Sequence, residues 1–323
     1  MTLLFLGGTG TLSSACAARA VARGHQLTLV TRGRADHRAP DRAEILHADA
    51  RDPEAVAAAI GDRTFDAVVD WVAFAPEHVE DDLRLFRGRT GQYVFISSAS
   101  AYQTPPRSLP VTEETPLDNP VWAYSQAKIA CEARVWEARD AGMPVTVVRP
   151  SHTVAPWSMP FRGGYTVIDR MRRGAPVLVH GDGLSLWTLT NHRDFATGFV
   201  GLLGHEGALG RAIHITSDEV LTWDAITHTL AEAAGAEARI VHVPSDRVAA
   251  VDADWGDSLL GDKAHSRVFD NALVKRLVPD FAAPTTWAGS AAEMVAWFDA
   301  DPRRRVVDEA ADRTMDALIA PLL

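Results

Sequence analysis

Short apolar runs alternate with stretches of helical periodicity through the first half of the chain, and this alternation constrains the fold more than any other feature. The pattern predicts strands at 2–6, 26–30, 44–47, 65–72, 92–97 and 144–148, and helices at 12–22, 54–60, 76–86 and 124–139. Continuous apolar strands that alternate with helices are typical of a parallel sheet covered on both faces. We therefore predict a doubly wound α/β fold of the Rossmann type.

The regular alternation of strands and helices becomes weaker near residue 151. Pro, Gly and Trp are frequent from there on, and predicted helices such as 222–234 alternate with isolated strands. Residues 1–150 are therefore expected to form a dinucleotide-binding domain. Residues 151–323 are expected to form mostly a smaller, partly intercalated substrate-binding lobe, with some segments returning to the Rossmann sheet.

Charge and cysteine content exclude several classes of protein. The 32 Lys and Arg against 42 Asp and Glu give a net charge of −10, which repels nucleic-acid phosphates and anionic lipid. Two cysteines are too few for a disulfide scaffold or a Cys-rich zinc module, and the histidines show no metal-ligand spacing. The N-terminal apolar run is too short for a signal peptide or a membrane span. These features predict a cytoplasmic protein that acts on a small molecule, with no nucleic-acid or membrane partner and no metal.

A glycine-rich turn joins the first strand to the first helix. Gly7 can make the tight turn and Gly10 can let a phosphate approach the backbone, while Thr11 and Leu12 open the helix whose N–H groups would face a dinucleotide pyrophosphate. The third glycine of the usual fingerprint is replaced by Ser13. An ordinary strand-to-helix turn is the alternative interpretation.

The residues after the second strand bear on the choice of dinucleotide. An NAD site usually has a carboxylate there, whereas this chain has Arg32 and Arg34, with Asp36 further on. Arginine suits a 2′-phosphate, so we expect NADP(H) to be preferred and NAD(H) to be the alternative, unless both arginines are merely solvated. Asp49, after the third strand, is either a contact to the adenine or a helix cap.

Tyr124 and Lys128 stand four residues apart on the long helix, so that phenol and ammonium lie on one face. A cation near a phenol lowers its pKa towards the working range of an acid–base catalyst, which is the role predicted for Lys128. Ser98 follows the fifth strand, at the sheet edge where such folds place chemistry, and can hydrogen-bond the substrate oxygen that Tyr124 protonates. A serine that only satisfies turn backbone is the alternative.

In order and spacing, these motifs resemble those of the extended short-chain dehydrogenase/reductases, in the NAD-dependent epimerase/dehydratase branch. The matching features are the glycine turn, the Ser-Ser-x-x-x-Tyr segment at 97–102, the Tyr-x-x-x-Lys helix and the Arg-Pro pair at 149–150. The resemblance implies a catalytic triad of Ser98, Tyr124 and Lys128. It also implies cofactor contacts from the following residues: Ala50, Val72, Ala73, Tyr124, Lys128 and Pro150.

The substrate side departs from the family pattern. Ala99 and Ser100 stand where dehydratases have an Asp-Glu pair, and His152 replaces a substrate-side Asn. The two arginines that grip a diphosphate in nucleotide-sugar enzymes are replaced by Trp187 and Leu259. A nucleotide-linked substrate is therefore in doubt unless Arg162, Arg193 or Arg267 substitutes. We expect a sugar-like substrate in contact with Ser98, Ser100, His152 and Trp187, although Trp187 is also interpretable as a core residue.

The motifs predict an NAD(P)-dependent oxidoreductase or epimerase that moves hydride at a secondary alcohol or ketone carbon. The alternative is a non-catalytic or RNA-binding, regulatory member of the same fold, as among the chloroplast stem-loop RNA-binding proteins. By analogy with the family, we also expect a homodimer through helices 76–86 and 124–139, with Val135 and Trp136 on the outer face of the second.

Overall fold

A computed structural model describes residues 1–323 and has a seven-stranded parallel sheet at its centre, in the order β11-β6-β5-β4-β1-β2-β3. The strands are β1 (Thr2–Leu6), β2 (Gln26–Thr31), β3 (Glu44–His47), β4 (Ala67–Asp70), β5 (Tyr93–Ile96), β6 (Val145–Pro150), β7 (His152–Val154), β8 (Val177–His180), β9 (Leu186–Trp187), β10 (Leu189–Asn191), β11 (Ala212–Ile215), β12 (Leu221–Thr222) and β13 (Ile240–Val243). The predicted doubly wound Rossmann fold is confirmed.

Helices cover both faces of the sheet and build the second half of the chain. They are α1 (Thr11–Ala22), α2 (Pro53–Ile60), α3 (Pro76–Phe86), α4 (Ala123–Asp140), α5 (Tyr165–Arg172), α6 (His192–Leu202), α7 (Trp223–Ala233), α8 (Ser245–Val251), α9 (Ala253–Ser258), α10 (Ala272–Leu277), α11 (Trp287–Asp299) and α12 (Glu309–Ile319). All six strands and four helices predicted for the first half are present, with ends that differ by at most two residues. No helix is long and apolar enough to cross a membrane.

Three hydrophobic clusters divide the interior. One covers the face of the sheet beneath α1 and includes side chains from α6, β11 and α10, so later segments return to the sheet. Another covers the opposite face, beneath α3 and α4. The largest lies between residues 154 and 319 and packs the strands and helices of the second half against one another. The carboxyl ends of the sheet strands lie at the edge where the second half of the chain joins the sheet.

Two features of the helices differ from what the local sequence favours. The sequence Asp194-Phe195-Ala196 favours Asp194 as a helix N-cap, but Asn191 caps α6 by accepting a hydrogen bond from the amide of Arg193 at 2.9 Å. Asp194 lies in the first turn instead and accepts the amide and hydroxyl of Thr285 at 2.8 and 3.1 Å. Val135 is not on the outer face of α4 but fully buried against the sheet, because α3 packs beside α4 there.

Candidate active site and cofactor crevice

The glycine turn folds in a way that requires glycine. Gly7 and Gly8 have φ values of +94° and +122°, where L side chains are strained. A Cβ on Gly8 would lie 2.7 Å from a methyl group of Leu29. Gly10 then opens α1, whose first-turn N–H groups, including those of Thr11 and Leu12, have no acceptor within the helix. Crowded glycines before a helix N-terminus fit a dinucleotide pyrophosphate.

The end of β2 presents both cationic and acidic groups. Asp36 folds back onto the strand, accepting the Thr31 hydroxyl at 2.8 Å and contacting Nε2 of His47 at 2.8 Å, and these hydrogen bonds lower the pKa of the Asp36 carboxyl. Arg32 and Arg34 are exposed and make no hydrogen bond or ion pair within the chain. Their guanidinium groups are therefore free to meet a ligand at this strand end.

Asp49 is not the cap of the helix that follows it. Asp52 caps α2 by accepting the amides of Glu54 and Ala55 at 3.1 and 3.0 Å. The carboxylate of exposed Asp49 accepts only the amide of Arg51 at 3.0 Å, and Ala50 lies beside it. The alternative that Asp49 caps this helix is therefore wrong. Its carboxylate has oxygen lone pairs left that could accept a hydrogen bond from an adenine.

A buried carboxylate organises the loop after β4. Asp70 accepts the amides of Val72 and Ala73 at 2.8 and 3.0 Å. The carbonyl of Ala73 in turn accepts a hydrogen bond from Nζ of Lys128 at 2.8 Å, and the carbonyl of Ile96 accepts a second one at 2.8 Å. Burial lowers the pKa of Lys128 to about 8. The loop expected beside the nicotinamide ribose is thus tied directly to the lysine of the predicted triad.

Tyr124 and Ser98 line one cavity, while Lys128 lies behind the tyrosine with its Nζ 5.9 Å from the centre of the phenol ring. Burial raises the pKa of Tyr124, and the nearby Ser98 side chain opposes that rise. The expected lowering of this pKa by Lys128 is not found, because the phenol is largely desolvated. Tyr124 and Lys128 are neighbours on α4, as their spacing predicted, and the triad with Ser98 stays a prediction.

A chain of serine hydroxyls joins α4 to Ser98. Ser125, on α4, donates to Oγ of Ser100 at 2.8 Å, and Oγ of Ser100 lies 2.8 Å from Oγ of Ser98, where either hydroxyl can donate. Ser98 also accepts the amide of Ser100 at 3.2 Å. When Ser100 donates to Ser98, the Ser98 proton is available to a group in the cavity. Ser100, predicted to bind substrate, also lines the cavity.

The cavity has a volume of about 370 Å³ and is bounded by both halves of the chain. Its lining includes the predicted residues Ser98, Ser100, Tyr124, Pro150, His152 and Trp187. The indole Nε1 of Trp187 donates to Nδ1 of His152 at 3.1 Å. This bond assigns the His152 proton to Nε2, and burial lowers the pKa of His152 to about 3. Trp187 is only 3% exposed, as expected of a core residue, and it also lines the cavity, as expected of a substrate contact.

Two of the three arginines considered as substitute diphosphate clamps are held by carboxylates. Arg162 pairs with Asp252 and Asp254, and Arg193 pairs through both nitrogens with Glu293. Arg267 lines the cavity and donates to the carbonyl of Gln103 at 3.1 Å and to the Thr104 hydroxyl, while its Nε lies 3.5 Å from Oδ1 of Asp262 and has no hydrogen-bond partner.

Two charged residues of the cavity were not found from the sequence. Lys263 and Asp262 end a π-helical segment, Leu259–Lys263, and both line the cavity. Burial lowers the pKa of Lys263 and raises that of Asp262. Nζ of Lys263 lies 5.3 Å from the ring centre of Trp122 and makes one long hydrogen bond, at 3.3 Å, to the carbonyl of Ser258. The only available signal was that Lys263 is one of three lysines in an arginine-rich chain.

Residues 3–216 match the family model described as the NAD dependent epimerase/dehydratase family. Among curated proteins, the chloroplast stem-loop binding protein of 41 kDa b from Arabidopsis thaliana is 28% identical over 251 residues, which cover 72% of this chain and 63% of that protein. The 2′-dehydrokanamycin reductase of Streptomyces kanamyceticus is 24% identical over 292 residues, with 87% and 80% covered. The chain thus spans less than two thirds of the first relative's length.

Solved structures show the same fold. A UDP-glucose 4-epimerase from Bifidobacterium longum, in complex with NAD⁺ and UDP, superposes with a TM-score of 0.76 at 17% identity, covering 94% of this chain and 100% of that one. A dTDP-glucose 4,6-dehydratase from Bacillus anthracis, in complex with NAD, gives a TM-score of 0.76 at 17% identity, with 94% and 98% covered. At this identity the likeness concerns the fold alone.

Proposed function

The chain belongs to the NAD-dependent epimerase/dehydratase family of extended short-chain dehydrogenase/reductase enzymes, and from this premise we propose that it oxidises, reduces or epimerises a secondary alcohol or ketone carbon of a sugar-like substrate. The observation that carries the proposal is the joint placement of Tyr124 and Ser98 on one cavity wall, with Lys128 behind them. A nicotinamide dinucleotide, when bound, supplies the hydride acceptor or donor.

The proton transfer is assigned to Tyr124. Its phenol gives a proton to the carbonyl oxygen during reduction and becomes the phenolate, and the phenolate takes a proton from the substrate hydroxyl during oxidation. Ser98, which lines the cavity together with Tyr124, donates a hydrogen bond to the same oxygen. Lys128 holds the loop at Ala73 and carries a positive charge behind the phenol.

NADP(H) is the proposed cofactor, with NAD(H) as the alternative. The first-turn N–H groups of α1 after Gly7 and Gly10 would hold the pyrophosphate, and Arg32 would meet a 2′-phosphate. Asp49 has free acceptor positions for the adenine. Asp36 lies at the same strand end, but its carboxylate already has partners in Thr31 and His47, which supports the arginine-based choice.

The substrate is proposed to carry no nucleoside diphosphate. A diphosphate needs fixed guanidinium groups with open donors, and the one arginine that lines the cavity, Arg267, gives two donors to Gln103 and Thr104 and has its Nε 3.5 Å from Oδ1 of Asp262. Of the cations that line the cavity, Lys263 then has the fewest hydrogen bonds and ion pairs within the chain. The Streptomyces relative, whose name describes a reductase of 2′-dehydrokanamycin rather than of a nucleotide-linked compound, supports this choice.

The function is tested with NADPH deuterated at C4 and a panel of sugars and cyclic ketones, with deuterium incorporation followed by mass spectrometry. Tyr124→Phe should lower turnover by about 100-fold or more and leave NADP⁺ affinity nearly unchanged, since only the ionisable oxygen is lost. Ser98→Ala should also lower turnover with little effect on cofactor affinity. Tyr165→Phe, in the core of the second half, is the matched control and should keep turnover within about twofold of the parent. Near-normal turnover of Tyr124→Phe would refute the assignment.

RNA binding is the second candidate, because the Arabidopsis relative is named for binding a stem-loop. The net charge of −10 opposes it. Sub-micromolar binding of a stem-loop RNA at 150 mM salt, together with no hydride transfer to any ketone of the panel, would favour this candidate over the enzyme.

A further inference from the structure

A groove of about 880 Å³ lies along the exposed side of α1 and shares no lining residue with the catalytic cavity. The floor is made by small side chains of α1, Ala15, Ala18 and Ala22, and the start of α6 forms one wall. Tryptophans from two distant segments, Trp157 and Trp297, stand at its sides. None of these residues has a role in the proposed hydride transfer.

An arginine guanidinium lies over the ring of each tryptophan of the groove. The guanidinium carbon of Arg38 lies 5.0 Å from the ring centre of Trp157, and that of Arg304 lies 4.3 Å from the ring centre of Trp297. Arg38 makes no hydrogen bond or ion pair. Arg304 donates one hydrogen bond to the carbonyl of Trp297 at 2.8 Å. Both distances lie within the range of a cation–π contact, and the guanidinium N–H groups that have no partner in the chain can bind phosphate or carboxylate oxygens.

Buried polar atoms without partners line the same groove. Ser14 and His192 are only 6% and 5% exposed, and neither Oγ of Ser14 nor Nδ1 of His192 has a hydrogen-bond partner. Nε of Arg19, another lining residue, also lacks one. Nε1 of Trp157 is a fourth such atom. Buried polar groups are normally hydrogen-bonded, so a groove whose lining residues have four unpaired ones is suited to a polar ligand.

The charges that face the groove are mainly positive. Its one lining carboxylate, Asp194, is already bonded to the amide and hydroxyl of Thr285. The lining Arg193 is neutralised by Glu293, and Asp301 lies 3.9 Å from Arg304. Arg19 and Arg38 have no carboxylate partner, which is notable in a chain of net charge −10. The groove therefore favours an anion over a neutral ligand.

We propose that this groove is a second ligand site that binds a small planar anion, an aromatic ring bearing a phosphate group. The ring would lie on the alanine floor between the two tryptophans, and the phosphate would take the free N–H groups of Arg38 and Arg304. Its volume is within the range of small-molecule sites.

The probe is adenosine 5′-monophosphate, titrated by calorimetry into the full-length protein saturated with NADP⁺, so that the dinucleotide crevice is filled. Inorganic phosphate is titrated separately and should bind at least about tenfold more weakly, because it lacks the ring. Arg38→Ala and Arg304→Ala should each weaken binding of the monophosphate by about tenfold or more. Arg276→Ala removes an exposed arginine outside the groove and should leave it unchanged. NADP⁺ affinity of Arg304→Ala, measured in parallel, should equal that of the parent and shows that the variant is folded.

Three results would overturn the proposal. The first is no binding of the monophosphate up to 5 mM. The second is binding that Arg32→Ala abolishes and Arg38→Ala and Arg304→Ala leave unchanged, which would place the probe in the dinucleotide crevice. The third is a dimer in sedimentation that Arg304→Ala dissociates, or an RNA oligonucleotide that displaces the monophosphate with higher affinity, since either would give the groove a macromolecular occupant.

Discussion

Nζ of Lys128 donates a hydrogen bond to the carbonyl of Ala73 at 2.8 Å, although the two residues lie 55 positions apart in the chain. This bond joins α4, which carries Tyr124, to the loop after β4, which is expected to border the nicotinamide ribose. Burial of the ammonium lowers the pKa of Lys128 to about 8. The helix that carries the proposed proton donor and the loop proposed to contact the cofactor are thus joined by one side chain whose pKa is about 8.

Lys128 is expected to make stability depend on pH. Its folded-state pKa lies below the value of the unfolded chain, so the unfolded state binds more protons and this group's contribution to stability rises with pH. Between pH 7 and pH 9, the free energy of unfolding of the parent should rise by about 1 kcal/mol relative to Lys128→Met. Urea unfolding of both proteins at each pH measures the difference. Parallel curves for the two proteins would contradict the burial argument.

Asp70 is expected to act on cofactor binding without touching the cofactor. Asp70→Ala removes the acceptor of the amides of Val72 and Ala73 and a partner of Arg51, leaving buried groups unpaired. The variant should lose about 3 kcal/mol of stability, and its dinucleotide affinity should fall because the loop moves. Thermal unfolding and a cofactor titration measure the two effects. Asp81→Ala breaks only an exposed pair with Arg84 and should change neither.

The local sequence pattern was sufficient to predict the sheet and the placement of Tyr124 and Lys128 on one face of α4. Apolar runs determine which segments are buried as strands, and a spacing of four residues places two side chains on one helix face wherever the helix lies. These features depend on neighbours in the chain, so the sequence contains them directly.

Long-range packing explains what could not be predicted. Lys263 reaches the cavity only because a π-helical segment brings it to Trp122, over 140 residues earlier in the chain. Asp194 accepts a hydrogen bond from Thr285 instead of capping α6. Val135 is buried because α3 lies beside α4. The raised pKa of Tyr124 likewise results from desolvation, which depends on the whole cavity and not on the nearby lysine.

Arg32 is expected to determine the preference for NADP(H). Arg32→Ala should weaken NADP⁺ binding by about 10- to 100-fold, the range of a lost charge-assisted hydrogen bond, and leave NAD⁺ binding nearly unchanged. Arg276→Ala, which removes an exposed arginine of α10, serves as the control and should change neither affinity. Fluorescence titrations of both dinucleotides with each variant measure the preference. Equal affinity of the parent for the two dinucleotides would refute it.

The hydrogen bond from Trp187 to His152 is expected to set substrate affinity. Because burial lowers the pKa of His152 to about 3, the imidazole stays neutral from pH 5 to pH 8, and the indole proton on Nδ1 leaves Nε2–H as the donor towards the cavity. Trp187→Phe removes that constraint, so both imidazole tautomers become populated and KM should rise by about 3- to 10-fold.

Turnover in Trp187→Phe should change less than KM, since neither residue moves the proton of the reacting oxygen. Trp136→Phe, on the far side of α4, should leave both constants unchanged. If His152 were instead the general base, the parent would show an acid limb in kcat/KM that His152→Gln removes. The neutral imidazole requires the opposite result: any acid limb above pH 5 should have the same midpoint in the parent and in His152→Gln.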